Sequence, residues 1–94
     1  NLPENEELQL VHQLLSGNND GLKTMDSYSE RIKQLNDIQL GDLNEKDKEY
    51  VNDVLIDGIK RDYNQGYLGF FCKHKDKNAK NIVENFLQRA QSVA

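Results

Sequence analysis

Apolar side chains recur along most of this chain at the three- and four-residue spacing that places them on one face of a helix. The spacing is clearest near the end, where it predicts a helix over about residues 76–92. The predicted apolar face comprises Ala79, Ile82, Val83, Phe86, Leu87 and Ala90. This helix is therefore expected to bury one side in a core and leave the other in solvent.

The same spacing predicts a helix over residues 4–16, where Leu8, Val11 and Leu15 form a stripe with Leu10 and Leu14 beside it. Residues 17–21 are glycine, asparagine and aspartate, which favour turns and end this helix. A connector to about residue 26 follows. We expect Ser27 and Glu30 to form a capping box that begins a second helix, with Tyr28, Ile32, Leu35 and Ile38 on one face.

The longest predicted helix spans residues 45–62, with Asn44 as its cap. Val51, Val54, Leu55 and Ile59 form its predicted apolar stripe, flanked by Tyr50. Gly58 either weakens this helix or admits a close neighbour. The apolar segment 67–72 fits a helix or a strand. These elements predict an all-α, four-helix bundle-like domain with short polar loops, a single domain over residues 1–94 that could belong to a longer protein.

Composition excludes several protein classes. A single cysteine, Cys72, excludes an internal disulfide framework, so a reducing cytoplasm is the expected compartment. Apolar runs are too short for a membrane span, and no secretory signal pattern opens the sequence. Phosphate-binding glycine loops of the usual nucleotide-binding patterns are absent from the sequence.

The net charge of −4 divides unevenly along the chain. Residues 1–64 carry 14 acidic and 7 basic side chains, whereas residues 65–94 carry 2 acidic and 5 basic ones. A net charge of −7 is thus followed by one of +3. Because local charges set the local field, the basic end can attract anionic groups although the whole chain is acidic. The acidic remainder opposes binding to a long nucleic acid.

Chemical motifs are weak. Ser16, Asn18, Asp20 and Gly21 match the first half of a calcium-binding loop, but Ser27 stands where the closing glutamate is required and Lys23 adds positive charge. A polar turn is the favoured interpretation. Acidic pairs such as Glu6 with Glu7, or Asp53 with Asp57, are typical of solvated helix faces.

Two hypotheses use Cys72 and His74. In an extended segment the two side chains would share a side and could act as a thiol and its base, although no oxyanion motif accompanies them. With His12 they would supply three metal ligands, one fewer than structural zinc usually takes. Packing is the favoured role for Cys72. We therefore expect no catalytic residues, no metal and no cofactor.

The most informative combination joins aromatic and basic side chains within residues 67–80. Its candidate binding residues are Tyr67, Phe70, Phe71, Lys73, His74, Lys75, Lys77 and Lys80. If the aromatic rings are exposed, they can dock on a protein partner, or enter a lipid interface while the lysines meet anionic headgroups. If they are buried, the lysines are only the solvated rim of the core.

Residues 74–78, His-Lys-Asp-Lys-Asn, together with the following helix, resemble the HPDKN loop and next helix of J-domain co-chaperones. In that family the His-Pro-Asp triplet stimulates the ATPase of a heat-shock chaperone. His74 and Asp76 match the triplet, whereas Lys75 replaces its proline, and the resemblance covers about 20 residues. It implies a degenerate J-like module.

The sequence favours non-enzymatic protein–protein interaction, as an adaptor or regulatory domain. Binding to anionic membrane lipid or a phosphoinositide is the alternative, and a J-like co-chaperone module is the next. The identity of the partner and the oligomeric state stay open.

Overall fold

The computed structural model describes residues 2–15 and 24–93, and these ranges form five helices and no strand. Helix α1 spans Glu6–His12 and runs into a 3-10 turn at Gln13–Leu15. Helix α2 spans Met25–Gln34 and ends in a second 3-10 turn at Leu35–Asp37. Helix α3 comprises Glu45–Tyr50, a π-helical turn at Val51–Leu55, and Ile56–Gln65. Helices α4 and α5 span Tyr67–His74 and Lys77–Gln91.

The all-α fold class is confirmed. The described ranges hold one helix more than predicted, because the apolar segment, for which helix and strand stayed open, is helix α4. The predicted turn at residues 17–21 lies outside the described residues.

The start of α2 differs from the prediction. Thr24, not Ser27, is the capping residue: its Oγ1 accepts a hydrogen bond from the Ser27 backbone N–H at 3.0 Å. Ser27 Oγ in turn accepts from the Thr24 N–H at 3.2 Å. The prediction of a Ser27–Glu30 capping box is therefore wrong. The Ser27 hydroxyl, at the third helical position, takes the place of the usual glutamate, so α2 begins three residues earlier than predicted.

Helix α3 begins at the predicted cap, where Asn44 Oδ1 accepts from the Asp47 N–H at 2.8 Å. Its π turn inserts extra backbone into one turn and rotates the following face. Tyr50, Val51, Leu55 and Ile59 are buried, but Val54, which the sequence places on the core stripe, is 39% exposed. The prediction for Val54 is therefore wrong.

One hydrophobic core joins all five helices. Its members include Leu8, Ile32, Leu55, Phe71 and Phe86. Gly58 admits the close approach that the sequence allowed, since a Cβ at this position would lie 2.9 Å from Leu15 Cδ1.

Two charged side chains tie the ends of helices to the core. Arg89 donates from Nη1 to the Ile38 carbonyl at 2.7 Å and from Nη2 to the Leu35 carbonyl at 2.5 Å, which satisfies the end of α2. The buried carboxylate of Asp47 accepts from the backbone N–H groups of Glu4 at 2.7 Å and Asn5 at 3.0 Å. Asp47 thereby anchors the start of α1 to α3.

Candidate functional site

Helix α4 carries most of the candidate binding residues and is anchored to the end of α3. The Asp62 carboxylate accepts a hydrogen bond from the Leu68 backbone N–H at 3.3 Å, in the first turn of α4. Burial raises the pKa of Asp62, while the N–H groups of Leu68 and Tyr67 oppose that rise. A Cβ at Gly66 would meet Asp62 Oδ1 at 1.8 Å, so a larger residue here would displace the Asp62 carboxylate.

The inward face of α4 consists of Leu68, Gly69, Phe71 and Cys72, all buried. Phe71 is 1% exposed and packs edge-on against Tyr28, with the ring centroids 4.7 Å apart. It therefore supports the candidate surface from beneath and is removed from the set of residues that a partner can touch. The Tyr28 hydroxyl donates to the Leu14 carbonyl at 3.3 Å, and burial raises the pKa of Tyr28 above its usual range.

The outward face of α4 exposes two large aromatic rings. Tyr67 is 44% exposed and Phe70 is 47% exposed. Tyr67 rests edge-on against Tyr28 with a centroid separation of 5.0 Å, and Phe70 lies 4.9 Å from the His74 ring. The sequence left open whether these aromatic rings are exposed or buried, and the structure exposes Tyr67 and Phe70 and buries Phe71.

One cation lies beside Phe70, and another lies beside Tyr63 on α3. Lys75 Nζ lies 5.7 Å from the Phe70 ring centroid, and Lys73 Nζ lies 5.6 Å from that of Tyr63 on α3. We define the aromatic–basic surface as the exposed residues of α4 and its end, namely Tyr67, Phe70, Lys73, His74 and Lys75. Lys77 and Lys80 are exposed at the start of α5 and contribute positive charge after this surface.

Asp76 is the acidic exception within this basic stretch. Its carboxylate accepts from Ser29 Oγ at 2.7 Å and from the Asn78 backbone N–H at 3.0 Å, and so caps α5. The Ser29 hydrogen bond, assisted by backbone donors and Lys33, lowers the pKa of Asp76. Of the residues that resemble the J-domain triplet, His74 thus ends α4 and Asp76 caps α5. The J-like assignment stays a prediction.

The structure separates Cys72 from His74. Residues two apart on a helix point to different sides, so Cys72 is buried while His74 lies at the surface beside Phe70. Burial, helped by the charges of Asp76 and Glu84, raises the pKa of the Cys72 thiol to about 11. The thiol–base pair proposed for an extended segment therefore does not form.

Metal binding gains no support in the described ranges. Residues 2–15 and 24–93 contain no group of three His, Cys, Asp or Glu side chains arranged to hold a metal ion. Instead of joining Cys72, His12 is hydrogen-bonded through Nδ1 to the Tyr50 hydroxyl at 2.7 Å. Five residues of the calcium hypothesis, Ser16, Asn18, Asp20, Gly21 and Lys23, lie outside the described residues, and Ser27 serves in the α2 cap.

We expect the native Cys72 thiol to react with Ellman's reagent at least about tenfold more slowly than in the unfolded chain. The thiolate is the reactive form, and burial both raises the thiol pKa and blocks access. Absorbance of the released thionitrobenzoate at pH 8, with and without urea, measures the ratio. Equal rates would place Cys72 at the surface.

A second feature, absent from the sequence analysis, lies on the first half of α3. There Leu2, Lys46, Glu49, Tyr50, Asp53 and Val54 line an open groove of about 490 Å³. We call it the acidic groove, because Glu49 and Asp53 outnumber Lys46. Helical periodicity does not predict this groove, because regular spacing places Val54 on the core stripe. The π turn exposes Val54 and has no signature in the sequence.

The fold and these two surfaces define a small all-α domain with an exposed aromatic and basic helix. Across residues 2–15 and 24–93, every helix is too short or too polar to cross a membrane. Comparisons with protein-family models, curated proteins and solved structures find no match for this chain.

Proposed function

We propose that this domain acts in non-enzymatic protein–protein interaction and binds its partner through the aromatic–basic surface. The observation that carries the proposal is the half-exposed Phe70 ring, placed beside the Lys75 ammonium on a helix whose other face is buried. The partner surface that fits it combines carboxylates with an apolar contact. Its charges would match the lysines and its apolar group would cover the ring.

Rigid support beneath the surface favours this role. Phe71 and Tyr28 fix Tyr67 from below, so little ordering is needed when a partner arrives. Aromatic side chains with few rotatable bonds are typical energetic centres of interfaces. The lysines add long-range attraction and therefore speed encounter with an acidic partner.

The test places a photoreactive benzophenone residue at Phe70 and, in a matched control, at Leu10, another exposed apolar position. We expect crosslinks to a protein partner from position 70 and none from position 10.

Charge reversal provides a second test. Lys73→Glu with Lys75→Glu should weaken this partner's binding by about tenfold, because attraction becomes repulsion. Lys60→Glu with Arg61→Glu, the same change of charge at exposed positions on α3, should leave it unaltered. Contacts mapped wholly outside residues 64–80 would refute the proposed surface.

Anionic lipid or a phosphoinositide is the alternative partner, favoured by the same combination of exposed Phe70 and neighbouring lysines. Co-sedimentation with phosphatidylserine-containing vesicles at low salt, against neutral phosphatidylcholine vesicles, distinguishes it. The proposed function predicts equal and negligible binding to both. The membrane alternative predicts selective binding to the anionic vesicles, and loss of that binding in the variant with Lys73→Glu and Lys75→Glu. This result would identify a membrane, not a protein, as the partner.

A further inference from the structure

We infer that a partner for the aromatic–basic surface is a second copy of this chain, which receives Phe70 in its acidic groove. This inference rests on the proposed interaction function and names the partner. The two surfaces are different patches of one molecule, so the contact is head-to-tail.

The acidic groove has the chemistry that Phe70 and its lysines require. Val54 is 39% exposed on its wall, Leu2 is exposed beside it, and Tyr50 is buried in its floor. The carboxylates of Glu49 and Asp53 are exposed at positions four apart, one turn of α3. An aromatic ring entering here would cover apolar surface while its flanking cations approach these carboxylates.

The two surfaces are complementary in apolar contact and in charge. The donor surface places the Phe70 ring beside Lys75, with Lys73 three residues after Phe70 on α4, and the groove places an apolar wall beside Glu49 and Asp53. The groove belongs to the part of the sequence with a net charge of −7, and the aromatic–basic surface belongs to the part with a net charge of +3. Like surfaces brought together would instead repel, which disfavours a symmetric contact of either surface with itself.

A single copy cannot satisfy both surfaces. Val54 and Tyr63 are nine residues apart on α3, or roughly 13 Å along the axis, and Tyr63 marks the end at which the aromatic–basic surface lies. Each copy therefore offers one free donor surface and one free groove. Head-to-tail contacts of this kind extend into open chains or close into rings.

Sedimentation velocity on the full chain tests this contact. At low salt we expect the weight-average sedimentation coefficient to rise with protein concentration. Raising the salt from about 0.1 M to about 1 M shortens the screening length from about 10 Å to about 3 Å and should return the protein to monomer.

Two single-surface variants make the test specific. Phe70→Ser removes the donor ring, and Val54→Ser with Asp53→Asn weakens the groove; each should reduce self-association by about tenfold or more. An equimolar mixture should form a one-to-one dimer that does not grow, because only one intact donor and one intact groove remain. Lys46→Glu should strengthen association by removing the opposing charge from the groove. Leu10→Ser is the matched control and should associate as the parent does, and circular dichroism checks that each variant is folded.

Three outcomes would overturn the inference. The first is a monomeric parent protein at every concentration at low salt. The second is loss of association in the Phe70 variant but not in the groove variant, which would indicate a symmetric contact. The third is a mixture of the two variants that stays monomeric. If the parent is monomeric and the photoreactive residue at position 70 still captures a different protein, the proposed function stands and only this inference fails.

Discussion

Replacing Gly69 by alanine is expected to destabilise the domain by about 3 kcal/mol or more, a large part of its stability. A Cβ at this position would lie 1.8 Å from the Tyr63 carbonyl oxygen and 2.7 Å from its carbonyl carbon. These atoms belong to the backbone of α3, so no rotamer change can relieve the overlap. Helices α3 and α4 would have to separate, exposing the apolar contacts of Leu68 and Phe71.

Helical preference acts in the opposite direction and is too weak to compensate. Alanine is favoured over glycine by about 1 kcal/mol within a helix. The same gain applies at Gly58, where the added Cβ would meet only the end of the Leu15 side chain at 2.9 Å. The two glycines therefore separate the effect of backbone overlap from that of helical preference.

Urea unfolding followed by circular dichroism measures the expected order. Gly41→Ala should be nearly neutral, since nothing lies within 4 Å of a Cβ there. Gly58→Ala should be milder than Gly69→Ala because Leu15 can shift. A Gly69→Ala variant as stable as the parent would contradict the close packing of α3 against α4, and a variant that never folds would agree with it.

Replacing Asp47 by alanine is expected to lower the free energy of unfolding by about 3 kcal/mol. The carboxylate is 3% exposed and accepts two backbone hydrogen bonds, from Glu4 and Asn5. Truncation leaves both N–H groups without their charged acceptor at the point where α1 begins. Each bond to a charged group contributes about 1.5 to 3 kcal/mol, and solvent entering the site offsets part of the loss.

Hydrogen exchange gives this prediction a local readout. The amide protons of Glu4 and Asn5 should lose protection in Asp47→Ala. Asp57→Ala, an exposed acid on the same helix, should change neither the exchange nor the unfolding free energy by more than about 0.5 kcal/mol. Unchanged protection at Glu4 and Asn5 would show that Asp47 does not anchor α1.

Local signals predicted the helices well. Spacing alone located α1, α3 and α5, and Asn44 was correctly expected to cap α3 because a side-chain amide at that position needs only its nearest neighbours. The start of α2 was misplaced, since both Thr24 and Ser27 can cap and the hydrogen bonds between them decide which one does. The segment of α4 was ambiguous because an apolar segment of only six residues satisfies both the helical and the strand period.

The candidate surface was only partly predictable. The sequence places aromatic and basic residues together within residues 67–80, but it could not show which of the aromatic rings are exposed. Helical geometry decides this by turning Phe71 toward Tyr28 and leaving Tyr67 and Phe70 exposed. The acidic groove could not be found at all, because it depends on a π turn that exposes Val54.

By itself, then, the sequence determined the all-α class, most helix positions and the division of charge, since periodicity, caps and composition act over a few residues. The tertiary structure decided which aromatic rings are exposed, that Cys72 and His74 do not meet, and that Gly69 and Asp47 hold helices together. These depend on contacts between residues far apart in the chain or on opposite sides of a helix. Their distances are set only when the core packs.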